Sequence, residues 1–293
     1  EPAFPSDTYA IKTQIAHHGF DPKEALVLAR PREGEFTVRH DDIETALEKH
    51  GDQIALVLIA GVNFFTGQLF DVTKITAAAQ KRGITVGIDL AHAAGNVTLT
   101  LHDWNVDFAV WCSYKYLNAG PGAVAGAFVH ERHATNRELP RLAGWFGNDP
   151  ATRFRMHLEP EFIPVPSADG WQISNPPICS MAPLRASLAI FDEAGGMEAL
   201  REKSITLTGY LQFLLESAGH SRVTVVTPRS PNERGCQLSI LVQEHPKELF
   251  GKLEAAGVKC DFREPNVIRA APTPLYNTFH EVWRVAQSLA EHQ

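Results

Sequence analysis

The stretch Ile84-Thr85-Val86-Gly87-Ile88-Asp89-Leu90 decides the fold. It is short, apolar and rich in β-branched residues, as a strand buried inside a parallel sheet must be. The residues before it read as the helix that feeds such a strand. Asp71 caps it, Val72, Ile75, Ala78 and Ala79 share one face, and Gly83 follows its end. Upstream, Ile54 to Ala60 reads as another buried strand, and Asp41 to His50 as a helix closed by Gly51. Downstream, Val106 to Cys112 and Ala123 to Val129 repeat the strand pattern. The alternation predicts an α/β fold: a mostly parallel sheet covered by helices on both faces.

The pattern changes after Glu159. Pro160, Pro164, Pro166, Pro176 and Pro177 exclude continuous helix there. Helices follow over Ala182–Ala194 and Met197–Ala218, split by Gly195-Gly196. Strand Gln237–Val242, helix Lys247–Ala256, strand Val267–Ala270 and helix Thr278–Glu291 then make a small α+β unit. The expected division is a large domain over 1–175, and linking helices with a smaller C-terminal domain over 176–293.

A chain of 293 residues suits one large domain or two ordinary ones. With 44% hydrophobic and 21% charged residues it reads as an ordinary globular chain, not a disordered, collagenous or disulfide-held one. The net charge of −7 argues against a nucleic-acid partner. The longest uncharged stretch, Gln53 to Phe70, has an apolar core too short for a bilayer, so no membrane partner is expected. The chain opens on Glu1-Pro2-Ala3-Phe4 with no secretory pattern, and an upstream part could be missing. Cys112, Cys179, Cys236 and Cys260 lack metal-site spacing. They read as buried free thiols in a reducing compartment, hence a cytoplasmic protein without a metal.

Asp89 ends its strand at the carboxyl edge, where parallel-sheet enzymes keep their ligands. Lys115 follows the next strand in Ser113-Tyr114-Lys115-Tyr116, where a desolvated amine would turn nucleophilic. Alone, the acid could be a cap and the lysine a snorkelling one. Together they suggest pyridoxal 5'-phosphate, which needs a lysine for its aldehyde and an acid beside its pyridine nitrogen. His92, in Asp89-Leu90-Ala91-His92, could stack on the cofactor or bond to it. Gly120-Pro121-Gly122 lacks a following Gly-Lys-Ser/Thr and reads as a tight turn.

At this point a resemblance becomes specific. Gly87-Ile88-Asp89-Leu90-Ala91-His92 and Trp111-Cys112-Ser113-Tyr114-Lys115-Tyr116-Leu117-Asn118-Ala119-Gly120 closely resemble kynureninases. So do Gly144-Trp145-Phe146-Gly147, Ile173-Ser174-Asn175-Pro176-Pro177, Arg234-Gly235-Cys236-Gln237-Leu238 and Arg269 to Asn277, in the same order. The likeness begins at Phe4-Pro5-Ser6-Asp7. It implies a fold-type I pyridoxal-phosphate enzyme, a homodimer that hydrolyses L-kynurenine or its 3-hydroxy form to an anthranilate and L-alanine in tryptophan catabolism and NAD biosynthesis.

By the same resemblance, Lys115 holds the cofactor aldehyde and Asp89 faces the ring nitrogen. Phe4 lies against the ring, with Pro5, Ser6 and Asp7 completing that motif. His92 belongs to the cofactor site. Tyr114 lies near the phosphate and takes part in proton transfer. Trp145 reaches the phosphate, from the partner subunit if the site is shared. Asn175, with Ser174, sits near cofactor and substrate ring. Arg269 grips the substrate carboxylate, and its apolar setting independently demands a buried anionic partner. In two respects the chain departs from the family. Ala60 stands where some relatives have a serine before Gly61-Val62-Asn63-Phe64. The N-terminal portion that relatives carry before Phe-Pro-Ser-Asp is also absent here, and with it part of the phosphate site and a ring-facing histidine. Two alternatives stay open: another fold-type I lyase such as a cysteine desulfurase, or a non-catalytic module that has lost the cofactor site.

Overall fold

The computed structural model describes residues 3–217 and 222–291. Its first sheet contains β1 (Leu56–Ala60), β2 (Thr85–Asp89), β3 (Phe108–Trp111) and β4 (Gly126–Val129), in that spatial order. β1–β2 and β2–β3 are parallel, and β4 is antiparallel to β3. Helices α1 (Pro5–His17), α2 (Pro22–Ala25), α3 (His40–His50), α4 (Val72–Gln80) and α5 (Glu131–Ala134) accompany it. The Asp71 side chain caps α4 by accepting from the Lys74 N–H, as its position before the periodic run predicts. Ile43 and Leu47 of α3 and Val72, Ile75 and Ala79 of α4 bury their faces with Val86, Ile88 and Ala109 of the sheet. Each fully buried Val, Leu or Ile there contributes about 1.5–3 kcal/mol.

Three expectations change. β1 is not a buried strand: it lies at one edge of the described sheet, and Leu56 is 45% exposed. The sheet is not covered throughout either. Val110 is 45% exposed, beside an open depression of about 460 Å³ lined by Asp89, Ala91, Val110, Trp111, Cys112 and Ala125 to Ala127. Of the four thiols only Cys236 is buried; Cys112 and Cys260 are half-buried and Cys179 is exposed. Alternation of apolar residues shows which faces a strand offers. It does not show which neighbours arrive to cover them.

Two helices lead out of the first sheet: α6 (Ile178–Glu193) and α7 (Gly196–Ser217). Ala218, the expected end of the second, lies outside the described residues. α6 starts before Ala182 and runs through Pro183, which forgoes one backbone hydrogen bond. The second sheet is antiparallel throughout: β5 (Val223–Val225), β6 (Leu238–Val242), β7 (Asp261–Arg263) and β8 (Val267–Ala270), in the order β5-β6-β8-β7. α8 (Pro246–Ala255) and α9 (Phe279–Glu291) join α7 in covering it. Leu207, Leu211, Leu238, Ile240, Leu253, Ile268 and Leu289 form its core.

The two sheets are tied by the turn after β1. The Thr227 hydroxyl donates to the Thr66 carbonyl at 2.6 Å, and the Leu69 N–H to the Glu233 carbonyl at 2.8 Å. The Asn96 side chain accepts from the Cys236 N–H at 2.9 Å. Gly95 makes a close approach possible beside this link. Its φ is +81°, and an added Cβ would lie 2.6 Å from the Tyr116 carbonyl carbon, in the segment that carries Lys115. Gly95→Ala combines left-handed strain with that clash. It is expected to cost about 2 kcal/mol or more, read as a lower urea midpoint; an unchanged midpoint would show that the two segments do not press together.

Candidate active site

The parallel register brings Ala60 opposite Asp89, and Asp89 opposite Val110, so the carboxyl ends of β1, β2 and β3 meet. Asp89 is fixed at this edge. One carboxylate oxygen accepts from the Ala91 N–H at 2.8 Å, and its backbone carbonyl accepts from the Gly61 N–H at 2.8 Å. Past β3, buried Ser113 donates to the Val124 carbonyl, and the Asn118 N–H donates to the Lys115 carbonyl at 2.9 Å. Asn118 has φ 56°, a left-handed turn that asparagine tolerates. This turn returns the chain after Lys115 and aims the amine back over the sheet edge.

The Lys115 Nζ lies 5.5 Å from the centre of the Phe4 ring and 6.0 Å from that of Tyr114. Phe4 precedes α1, and its carbonyl accepts from the Asp7 and Thr8 N–H groups. Its ring meets Phe64 edge-on at 5.3 Å. Pro5 and Ser6 form the exposed first turn. Asp7 comes back against Asp89. Burial first, then the Asp89 carboxylate, push the Asp7 carboxyl up to about 6, against the pull of Lys115. A cationic ring nitrogen beside them would relieve the repulsion that raises Asp7. The pair therefore fits a protonated pyridine.

His92 is mostly buried. Burial, then the cations Lys115, Arg269 and Arg263, push its imidazole down to about 3, so it is neutral. Its ring stands edge-on to Tyr116 at 5.8 Å, and its Nδ1 is buried without a hydrogen-bond partner. An orphaned ring nitrogen among three cations fits a polar group of a bound ligand. Tyr114 is 53% exposed, and the Cys112 thiol beside it lifts its phenol above the ordinary value.

Arg269, on β8, is only 8% exposed. It donates to the Phe64 carbonyl and to the Asp261 carboxylate, while its Nε is buried and unpartnered. The anionic partner demanded by its apolar setting is thus present, on β7. Asp261, Arg263 and Phe64 were not singled out as site residues by the sequence. No local spacing reveals a cross-strand pair.

Trp145, Ser174 and Asn175 stand apart. The Trp145 indole donates to Ser174 at 3.4 Å, and Ser174 donates to Asn175 at 3.2 Å. The Trp145 ring also meets Phe146 and Phe154. Among the described residues no hydrogen bond or ring contact joins this trio to Lys115. The structure brings together Phe4, Asp7, Asp89, His92, Tyr114, Lys115 and Arg269, and leaves the trio as a second cluster.

The Asp7–Asp89 contact has a testable sign. A carboxyl raised by folding contributes stability that is full below its ordinary 3.8 and lost as pH rises through about 6. Without added cofactor, Asp7→Asn should therefore melt above the parent well over pH 6, with the gap closing below 3.8. A gap independent of pH would remove the carboxylate contact.

Known proteins resemble this chain closely. Residues 200–289 match the family model of the kynureninase C-terminal domain. The chain is 54% identical over 290 residues to a kynureninase of Myxococcus xanthus, across 99% of this chain and 67% of that protein. It is 51% identical over 292 residues to a kynureninase of Flavobacterium johnsoniae, across 99% and 68%. It thus spans about two thirds of the length of these relatives. Among solved structures, a C-DES variant with glycine covalently linked to its PLP cofactor superposes with a TM-score of 0.82 at 18% identity, over 99% of this chain and 73% of that one. The apo cysteine desulfurase of Thermococcus onnurineus superposes at 0.75 and 17%, over 98% and 69%. These distant structures share the fold.

Proposed function

The chain belongs to the kynureninase family, and we propose that, with pyridoxal 5'-phosphate bound, it hydrolyses the Cβ–Cγ bond of L-kynurenine or 3-hydroxy-L-kynurenine. The products are anthranilate or 3-hydroxyanthranilate and L-alanine, which makes it a hydrolase of carbon–carbon bonds in a ketonic substrate. The observation that carries this reading is the convergence of Lys115, the Asp7–Asp89 pair and Arg269 at one sheet edge, in a chain so similar to kynureninases.

When bound, the cofactor supplies an electron sink for the bonds broken at the substrate's α and β carbons. The residues supply the rest. Lys115 would hold the cofactor aldehyde through Nζ, and its amine is the group that would carry the Cα proton. Asp89, backed by Asp7, keeps the proton on the ring nitrogen. Phe4, with Pro5 and Ser6 in its turn, lies against the ring. His92, neutral, offers Nδ1 to a polar group of the ligand. Tyr114 keeps its proton at neutral pH, since its phenol is raised. It therefore relays a proton to or from water rather than acting as a phenolate. Arg269 holds the substrate carboxylate and so orients the Cα–H bond.

Trp145 reaches the phosphate, and Asn175 and Ser174 the substrate ring, from a partner subunit. Their separation from Lys115 supports a shared site and hence a homodimer. In this reading residues 1–175 form the cofactor domain and 176–293 the linking helices and small domain. The enzyme works in the cytoplasm, in tryptophan breakdown toward NAD. The desulfurase alternative finds less support: the chain is 54% identical to a kynureninase and only 17% identical to the cysteine desulfurase that shares its fold. Two of the four thiols are also raised by burial, Cys236 up to about 12 and Cys260 up to about 11.

The chain supplied with pyridoxal phosphate should turn L-kynurenine into fluorescent anthranilate. Lys115→Ala should abolish that signal, and substantial residual turnover would overturn the lysine's role. A colourless, well-folded parent that produces no anthranilate would favour the non-catalytic module. Asp89→Asn should leave the chain coloured by cofactor yet slow turnover by roughly a hundredfold or more. Near-normal rates would remove Asp89 from the ring nitrogen.

A further inference from the structure

Beyond the residues already assigned, Asp261 stands out by its position. β7 and β8 pair so that Asp261 lies directly opposite Arg269. The same carboxylate oxygen of Asp261 also accepts from the Arg263 guanidinium, at 3.0 Å. Two guanidinium groups thus share one carboxylate, which leaves the group one positive charge in excess. The Nε atoms of both arginines are buried and unpartnered. Arg263 stacks 6.0 Å from the Phe64 ring, and Phe64 supplies the carbonyl that holds Arg269. Phe64 in turn meets Phe4 beside Lys115, which puts both arginines next to the site, and both add to the depression of His92.

A guanidinium held on two sides can offer its remaining N–H groups only in one direction. Asp261 takes one edge of Arg269 and the Phe64 carbonyl another. A ligand carboxylate beside the pair would neutralise the excess charge and, with a turn of the guanidinium toward it, satisfy an orphaned Nε donor.

We propose that Asp261 is a positioning residue for the carboxylate site: it fixes Arg269 across the strand pair and holds Arg263 beside it as a second cation for the amino-acid carboxylate. This rests on the reading of Arg269 as the carboxylate ligand. It predicts that Asp261 governs affinity for the α-carboxylate and leaves recognition of the aryl ketone alone.

The test uses the chain loaded with pyridoxal phosphate and two probes. L-Alanine carries the α-carboxylate without the aryl ketone; 2-aminoacetophenone carries the aryl ketone without the carboxylate. In Asp261→Asn the Kd for L-alanine should rise by roughly tenfold or more, as expected when charge-assisted hydrogen bonds lose alignment. The Kd for 2-aminoacetophenone should stay within about twofold, and Asp261→Glu should recover part of the L-alanine affinity. For kynurenine, KM should rise and kcat/KM should fall, since the carboxylate contact both binds the substrate and orients its Cα–H bond. An unchanged Kd for L-alanine would overturn the proposal. So would equal weakening of both probes with a lowered melting point, which marks a structural role only. A parent that binds no L-alanine would overturn it as well. A parent that binds L-alanine but releases no anthranilate would instead sink the kynurenine reading and leave the positioning of Arg269 to be judged on the Kd values.

Discussion

The parallel pairing of Ala60, Asp89 and Val110 is the constraint on which the site depends. Parallel strands run the same way, so their carboxyl ends emerge at one edge, and the loops that leave them must turn there. Asp89 is the last residue of its strand, and Lys115 comes a few residues after the next one. An antiparallel arrangement of the same strands would send one of these groups to the far end of the sheet. The helices matter to the chemistry indirectly: by burying Ile75, Val86 and Ile88 they hold the register that keeps the acid at the sheet edge from which the lysine segment leaves.

The second sheet completes the site by hydrogen bonds rather than by a shared core. The turn Asn63–Gln68 receives Thr227, Gln237 and Ser239, and its Phe64 carbonyl receives Arg269. Gly67 permits that approach: with φ +74°, it leaves no room for a Cβ, which would meet the Gln237 carbonyl at 2.9 Å. Backbone carbonyls make rigid acceptors, since no rotamer change can withdraw them. A guanidinium held by one keeps a fixed distance from the first sheet.

Much of this was legible from residue order. Strand ends, the cap at Asp71 and the grouping of Asp89 with Lys115 all follow from local pattern, because each involves neighbours on one element or on successive ones. The apolar setting of Arg269 even announced that it needed an anion. What stayed hidden depends on contacts between distant segments. That Asp261 is one anion is a matter of strand pairing in the folded chain. That Val110 and Leu56 remain exposed depends on what does or does not lie over them. The separation of Trp145, Ser174 and Asn175 from Lys115 has the same origin: their motifs look like the others, and only three-dimensional position tells them apart.

Phe64 has two faces toward the site. Its ring rests against Phe4, and its carbonyl accepts from Arg269. One short segment thus connects the aromatic wall beside Lys115 with the guanidinium on the second sheet. Any movement of Arg269 toward a ligand must strain or shift the segment that supports Phe4. The two events are therefore thermodynamically linked, and the linkage is reciprocal: by whatever factor an ordered Phe4 tightens carboxylate binding, a bound carboxylate orders Phe4 by the same factor.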